Sequence, residues 1–568
     1  MGRDDSHYRP ESGQGAETEG SPGRSADPVS PGAPSSGASA RGRASVPPPP
    51  LRSTPDPDSA PESESESEST PPAGSQASET PRPPAGPPPA DPVPPATRGR
   101  RRLAWLAAVL VLVVGVGAAL VLVRPGPIDG WLGGADPATT AAPDPAPRPV
   151  LAVASDSAPM PTPAGVKAAI DKLNVSAALG ERLHLEIIDL KTGEVLDARA
   201  PQEPTVPASV TKLVTAVTVL AARGPAYRIP TVAVAGANPG EVVLVGGGDP
   251  TLAGGKTGYY PGAARLDVLA EQVRKALGGT APTKVIVDGS LYSGPAHEPG
   301  WDSDIPTGGY GGTISALMID GARNDPKSGQ GYAERSAEPE LAAGRAFAAA
   351  LGLPASAVSA GRAPRAGAAS GAATAAEPAA GAELARVESA PMVRLVELML
   401  EQSDNFLAEA LARQVALVQG KPASFAGSGE AMKEVLAELG LPAEGTELAD
   451  GSGLSRDNRI APRLLTEILQ LAADPSRPDL SGLFAGLPVA AWSGTLRERY
   501  GDQARAGAGA VRAKTGTLSG VHAISGVVTT ADGRVLAFAI LADRVPHSAD
   551  PQVALDRIAA ALAGCGCR

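Results

Sequence analysis

The chain has 568 residues, with 61 acidic against 50 basic side chains and a formal net charge of −11. The length exceeds one ordinary domain, and the acidic balance excludes the electrostatic footprint of a nucleic-acid-binding protein. Cys565 and Cys567 are too close for an unstrained mutual bridge, which excludes a disulfide-dependent fold, and the five histidines show no ligand spacing that would make a metal site.

Residues 1–100 are dominated by Pro, Ser, Gly, Ala and charged groups and have almost no large apolar side chains. Such a segment cannot bury enough surface to offset the entropy of ordering, so it reads as a disordered tail. Its Glu-Ser run, Glu62 to Ser69, and its proline run, Pro47 to Pro50, fit a solvated low-complexity segment. Thr54-Pro55, Thr70-Pro71 and Thr80-Pro81 also fit a docking or phosphorylation segment with a cytoplasmic partner, and composition does not choose between the two.

Leu103 to Val123 is an apolar run of 21 residues, long enough to span roughly 30 Å of bilayer as a helix. Arg98, Arg100, Arg101 and Arg102 precede it and only Arg124 follows closely. The positive-inside rule then predicts one transmembrane helix (101–124), a cytoplasmic tail and an extracytoplasmic remainder, a single-pass type II arrangement in the cell membrane. Residues 125–160, rich in Pro, Ala, Asp and Thr, read as a linker.

Beyond it, alternation predicts strands at Leu183 to Asp189 and Glu194 to Asp197 around a Lys191-Thr192-Gly193 turn. Apolar spacing predicts a helix from Ala208 to about Arg223. Strands at Thr231 to Ala235 and Val242 to Val245 precede a helix at Ala264 to Leu277 and a strand at Lys284 to Asp288. A helix follows at Glu340 to Leu351, then an Ala/Gly-rich stretch at 360–382 that reads as an exposed loop. Further helices fall at Met392 to Glu401, Asn405 to Val418, Ser428 to Leu439 and Pro462 to Ala473. Strands at Val511 to Lys514, His522 to Thr529 and Val535 to Ala542 lead to a last helix, Val553 to Ala563. Strands at both ends flanking many helices predict an α+β fold, an antiparallel sheet packed with helices.

Three short motifs stand in order: Ser209-Val210-Thr211-Lys212, Ser403-Asp404-Asn405, and Lys514-Thr515-Gly516 followed by Thr517. Ser209 and Lys212, three apart, share one helix face. A serine hydroxyl needs an adjacent base, and a lysine serves only if burial or a second cation depresses its pKa; Lys514 is the candidate second cation. Ser403 reads either as the N-cap of the Asn405 helix or as a proton relay to the leaving amine. Asn405 would hold Lys212 and the substrate amide, whereas Asp404 suits the turn. Lys514 to Thr517 lie on a strand that an extended peptide could join. Lys514 and Thr515 would meet a terminal carboxylate, and Gly516 would permit close approach. The N–H groups of Thr517 and Ser209 would form an oxyanion hole.

This ordered set is the one described for penicillin-binding proteins and class A β-lactamases. Four further segments sharpen the resemblance: Leu244 to Leu252 (L-V-G-G-G-D-P-T-L), Trp301 with Tyr310 to Asp320, Asp450 to Arg456 (D-G-S-G-L-S-R), and Leu487 to Ala490 with Gly494-Thr495-Leu496. Over residues of about 165–563 the chain resembles the D-alanyl-D-alanine carboxypeptidase/endopeptidase family of low-molecular-mass class C penicillin-binding proteins. The Asp450 to Ser455 segment reads as either a structural loop or a substrate-lining one. The resemblance implies a serine β-lactamase/transpeptidase-like catalytic domain in two parts (161–230 and 390–564), with inserted subdomains (231–389) between the first and second motifs. It implies a hydrolase that trims or cleaves peptidoglycan stem peptides through a Ser209 acyl-enzyme, is acylated by β-lactams, and needs no cofactor or metal. A β-lactamase or esterase on the same scaffold, and a non-catalytic peptidoglycan-binding scaffold, are the alternatives.

Overall fold

The computed structural model describes residues 157–328, 333–365, 378–546 and 550–566. The tail, the apolar run, nearly all of the linker and the middle of the Ala/Gly-rich stretch lie outside the described residues. Among the described residues no helix is long and apolar enough to cross a membrane.

The chain enters through helix α1 (Pro163–Asp171), whose N-cap Thr162 accepts from the Gly165 N–H at 3.1 Å and which opens on a proline. These start signals went unread in the sequence because the surrounding composition is linker-like. Strands β1 (Leu183–Asp189) and β2 (Val195–Arg199) form a hairpin. Next comes helix α2 (Lys212–Arg223), entered through a 3₁₀ turn at Ala208–Thr211. A second group comprises β3 (Pro230–Ala235), β4 (Glu241–Val245), α3 (Leu266–Ala276), β5 (Lys284–Asp288), α4 (Pro339–Leu351), β6 (Val358–Ala360) and β7 (Glu383–Glu388). Four helices follow: α5 (Met392–Gln402), α6 (Asn405–Val418), α7 (Phe425–Glu438) and α8 (Pro462–Ala472). The chain closes with β8 (Val511–Leu518), β9 (Val521–Thr529), β10 (Val535–Ala542) and α9 (Pro551–Ala563).

Two five-stranded sheets result. The first, in order β2-β1-β10-β9-β8, is antiparallel throughout and joins the two ends of the folded chain. β10 sits at its centre with every residue buried. Strand alternation divides it between two cores. Ala537, Ala539 and Leu541 pack among α2, α5, α6, α7 and α8, while Leu536, Phe538 and Ile540 pack against α1 and α9. The architecture is the α+β one expected, an antiparallel sheet between helical layers. The second sheet, β6-β5-β4-β3-β7, is mixed, with β4, β5 and β6 parallel, and has its own core with α3 and α4.

α2 runs through the middle of the helical layer, and its residues from Lys212 to Leu220 are all buried. A surface helix would present one polar stripe; in this buried stretch, where Thr215 and Thr218 give their hydroxyls to nearby carbonyls, Lys212 is the one charged side chain. At the other end of the chain, Cys565 is buried and disulfide-bonded. The expectation of no bridge, drawn from the close cysteine spacing, is corrected in this respect.

Candidate active site

Ser209 lies in the 3₁₀ turn, half-buried, one turn ahead of Lys212. Side chains three apart eclipse in a 3₁₀ turn, and the Lys212 Nζ comes to 3.1 Å from Ser209 Oγ. Two further acceptors meet the same nitrogen: Asn405 Oδ1 at 2.6 Å and the Ser452 carbonyl at 2.6 Å. As a cation the amine donates to all three oxygens; on losing a proton it keeps two N–H groups for Asn405 and Ser452 and has a lone pair to turn to the serine hydroxyl. Burial pushes the Lys212 amine down to about 8, against the upward pull of the Asp450, Glu409 and Asp404 carboxylates.

Burial is the main cause that lowers Lys212. Lys514 lies close enough for the two amines to repel, and burial, Lys212 and Arg499 hold its amine well below the ordinary lysine range. Lys514 is fully buried, and its Nζ donates to the Thr515 carbonyl at 2.7 Å.

Strand β8 forms the outer edge of the first sheet. Its first half is covered: Ala490 N–H donates to Val511 O, and Ala513 N–H donates to Pro488 O, both at 3.0 Å. Beyond Ala513 no described strand pairs with this edge. Backbone groups alternate in direction along a strand, so the pattern that turns Val511 and Ala513 outward also turns the Thr515 and Thr517 N–H groups to the open edge. Gly516 brings this edge onto the nucleophile: a Cβ there would lie 3.0 Å from Ser209 N and 2.8 Å from Pro207 O. Thr515 is buried and its hydroxyl meets that of Thr495 at 2.8 Å, whereas Thr517 is exposed.

The second motif departs from expectation in one respect. Asp404, not Ser403, caps α6, accepting from Leu407 N–H at 3.0 Å and from the Tyr260 hydroxyl at 2.7 Å. Ser and Asp cap about equally well, so the sequence could not choose between neighbours. Ser403 instead ends α5 in the left-handed region at φ 55°. Ala208, next to Ser209, also has positive φ, 48°. Backbone strain of this kind costs about 1–3 kcal/mol and persists where the surroundings impose it. Asn405 completes the motif: its Oδ1 takes Lys212, and its Nδ2 donates to the Tyr310 carbonyl at 2.9 Å.

The Asp450 to Ser455 loop is structural, buried beneath the nucleophile. Asp450 Oδ1 accepts from Gly453 N–H at 2.7 Å, and its Oδ2 accepts from Ser455 N–H at 2.7 Å and Trp301 Nε1 at 2.8 Å. Gly453 has φ +83°, and a Cβ there would lie 2.0 Å from the Ala208 carbonyl oxygen. Three contributors went unnamed as site groups in the sequence: the Ser452 carbonyl, the Tyr310 carbonyl and the Thr495 hydroxyl. Two are backbone atoms, which carry no residue-type signature.

The family model for D-Ala-D-Ala carboxypeptidase 3 (S13) matches residues 166–344 and 330–563. A carboxypeptidase of Mycobacterium tuberculosis is 40% identical over 478 residues, covering 82% of this chain and 98% of its own. Carboxypeptidase DacB of Mycolicibacterium smegmatis is 39% identical over 480 residues, covering 83% and 99%. Among solved structures, penicillin-binding protein 4 of Haemophilus influenzae shares the fold with a TM-score of 0.55 at 22% identity, over 68% of this chain and 97% of its own. The chain belongs to the D-Ala-D-Ala carboxypeptidase 3 (S13) family.

Proposed function

We propose that the chain is a serine-type D-alanyl-D-alanine carboxypeptidase that acts on peptidoglycan stem peptides through a Ser209 acyl-enzyme. The observation that carries this is the Lys212 amine, buried at the hydroxyl of Ser209 and held there by Asn405 Oδ1 and the Ser452 carbonyl. Neutral Lys212 takes the Ser209 proton as Oγ attacks the carbonyl of the penultimate D-alanine. The extended peptide adds to the open half of β8. The N–H groups of Ser209 and Thr517 receive the developing oxyanion. Lys514 and Thr515 serve the terminal carboxylate, and Gly516 leaves the room this approach requires. Ser403 passes the proton to the leaving amine, terminal D-alanine departs, and water then releases the acyl group. Asn405 keeps Lys212 and the substrate amide in register.

Penicillin-binding protein 4 of Haemophilus influenzae, which shares the fold, has been solved with a β-lactam. A β-lactam offers its carbonyl to the same hydroxyl, so it acylates Ser209 and occupies the site. We further read Leu103 to Val123, with its preceding arginines, as the span that places this hydrolase outside the membrane. Residues 161–230 and 390–564 then form the catalytic domain, with 231–389 inserted.

The test incubates the full chain with a stem pentapeptide and with a cross-linked muropeptide and identifies the products by mass. Loss of one D-alanine from the pentapeptide is expected; an untouched pentapeptide under conditions where Ser209 is labelled by penicillin would refute the reading. Cleavage of the cross-link would add endopeptidase action.

A further inference from the structure

Helix α6 carries more than Asn405 on the face that meets the site. Glu409 and Arg413 follow at one-turn spacing, so Asn405, Glu409 and Arg413 form one line along the helix. Both charged side chains are 1% exposed. Buried charges of this kind are costly and weak as stabilisers, so their presence calls for a use.

Glu409 has one carboxylate oxygen for each of two tasks. Its Oε1 accepts from the N–H groups of Gly451 at 3.1 Å and Ser452 at 2.9 Å. Its Oε2 pairs with Arg413 Nη1 at 3.1 Å, and the same guanidinium nitrogen donates to the Glu409 carbonyl at 3.0 Å. Arg413 is in turn stacked on Phe425, 4.2 Å from the ring centre. The Gly451–Ser452 segment held by Glu409 is the one whose Ser452 carbonyl accepts from Lys212. On its other face, Gly451 O accepts from the Thr215 hydroxyl at 2.6 Å.

We propose that Glu409 is a positioning residue for acylation: its carboxylate fixes the backbone turn that aims the Ser452 carbonyl at Lys212, and Arg413 locks that carboxylate in place. The proposal rests on Ser209 and Lys212 being the nucleophile and its base. The charge of Glu409 also acts on Lys212 directly. The ionisable groups around Glu409 are Arg413 on its own helix, Asp450 from the loop, Lys212 from α2 and Tyr292 from the region between the two parts of the first sheet. Burial and Asp450 push Glu409 up to about 7, while Arg413 and the Ser452 side chain draw it down. Its negative charge favours protonated Lys212, as do those of Asp450 and Asp404.

The experiment measures the rate of acylation of the full chain by a fluorescent penicillin across pH, for the parent, E409A and E409Q. E409A leaves two N–H groups without their acceptor and frees the Ser452 carbonyl, so acylation falls by between about 10- and 100-fold at the parent optimum. E409Q keeps an amide oxygen for the two N–H groups and loses the charge. It holds the optimum rate within about threefold, and the acid limb of its profile moves down by about one pH unit. A residue that merely supported the fold would lower rates without moving that limb. If E409Q folds poorly because Arg413 is left unpaired, E409Q combined with R413M removes both charges and is read by the same limb. E409A acylating at the parent rate, or an unmoved limb in the folded E409Q or double variant, overturns the proposal. A parent chain that takes no label, or an S209A variant labelled like the parent, sinks the underlying site reading instead and the proposal with it.

Discussion

Replacing Gly453 by alanine tests whether the buried loop truly sets the nucleophile. Its backbone is left-handed at φ +83°, and the added Cβ would stand 2.0 Å from the Ala208 carbonyl oxygen and 2.9 Å from Thr211 Oγ1. A side chain in that backbone region costs about 1–2 kcal/mol. Opening the carbonyl contact to a tolerable separation moves Ala208 or the loop by about 1 Å, at a further cost of about 1–3 kcal/mol. Neither side can move innocently. Ala208 already sits at φ 48° and accepts from the Thr211 hydroxyl at 2.8 Å, and Ser209 follows it directly. On the loop side, the neighbouring Ser452 carbonyl is an acceptor for Lys212. A misplacement of that size costs about 100-fold in rate. G453A is therefore expected to lower the unfolding midpoint measurably and to slow acylation by a labelled penicillin about 100-fold. The measurements are a thermal scan and a labelling time course on the full chain. A variant that acylates at the parent rate would show that the loop does not position Ser209 and would refute the argument.

Other outcomes follow from the same geometry. S209A should take no label from a fluorescent penicillin, and retained labelling removes Ser209 as nucleophile. K212A should slow acylation on the order of 10²–10⁴-fold, the usual worth of a positioned base. Because Lys212 accepts a proton only when neutral, the parent rate should climb with pH as its amine loses its proton around 8; a flat profile there would take Lys212 out of that role. Away from the site, Arg534 pairs with Asp189 through Nη2 to Oδ1 at 2.7 Å and through a second contact, both residues being buried. Desolvation opposes ionisation of Asp189, yet its bonds from Arg534 and Thr192 outweigh that, and its pKa lies below the usual carboxylate value. The stability it contributes is thus full above the unfolded-state pKa and is lost as pH falls towards the folded one. D189A removes the carboxylate that neutralises the buried Arg534 guanidinium and should cost about 3–5 kcal/mol at neutral pH. Denaturant unfolding at neutral and acid pH checks both statements; equal stability of D189A and the parent at neutral pH would contradict them.

Periodicity was most informative where one environment covers a whole element. Val535 to Ala542, Leu183 to Asp189, Lys284 to Asp288 and Asn405 to Val418 appear in the structure with the bounds read from alternation or helical spacing. Shorter or edge elements were not legible. Val358–Ala360 has three residues, and Glu383–Glu388 alternates poorly because it borders its sheet. Helix α1 was hidden in a Pro/Ala-rich neighbourhood despite its cap.

At the site, side-chain types that do chemistry announce themselves in a sequence. Ser209, Lys212, Ser403, Asn405 and Lys514 to Thr517 could be named in order because a hydroxyl, two amines and an open strand form a recognisable set. Local spacing alone also puts Ser209 beside Lys212, since a single helical turn decides that contact. Asn405, 193 residues on, could be assigned to Lys212 from the motif set. What the linear chain could not state is that the Ser452 carbonyl, 240 residues away, completes the environment of Lys212. Carbonyls are common to every residue, and only the fold selects one. Proton affinity was likewise a three-dimensional matter: burial brings Lys212 down to about 8, and burial with the neighbouring Lys212 and Arg499 holds Lys514 well below the ordinary lysine range. Motif order was thus written in the chain, whereas proton affinity and aim came from burial, because both depend on neighbours that sequence separation does not reveal.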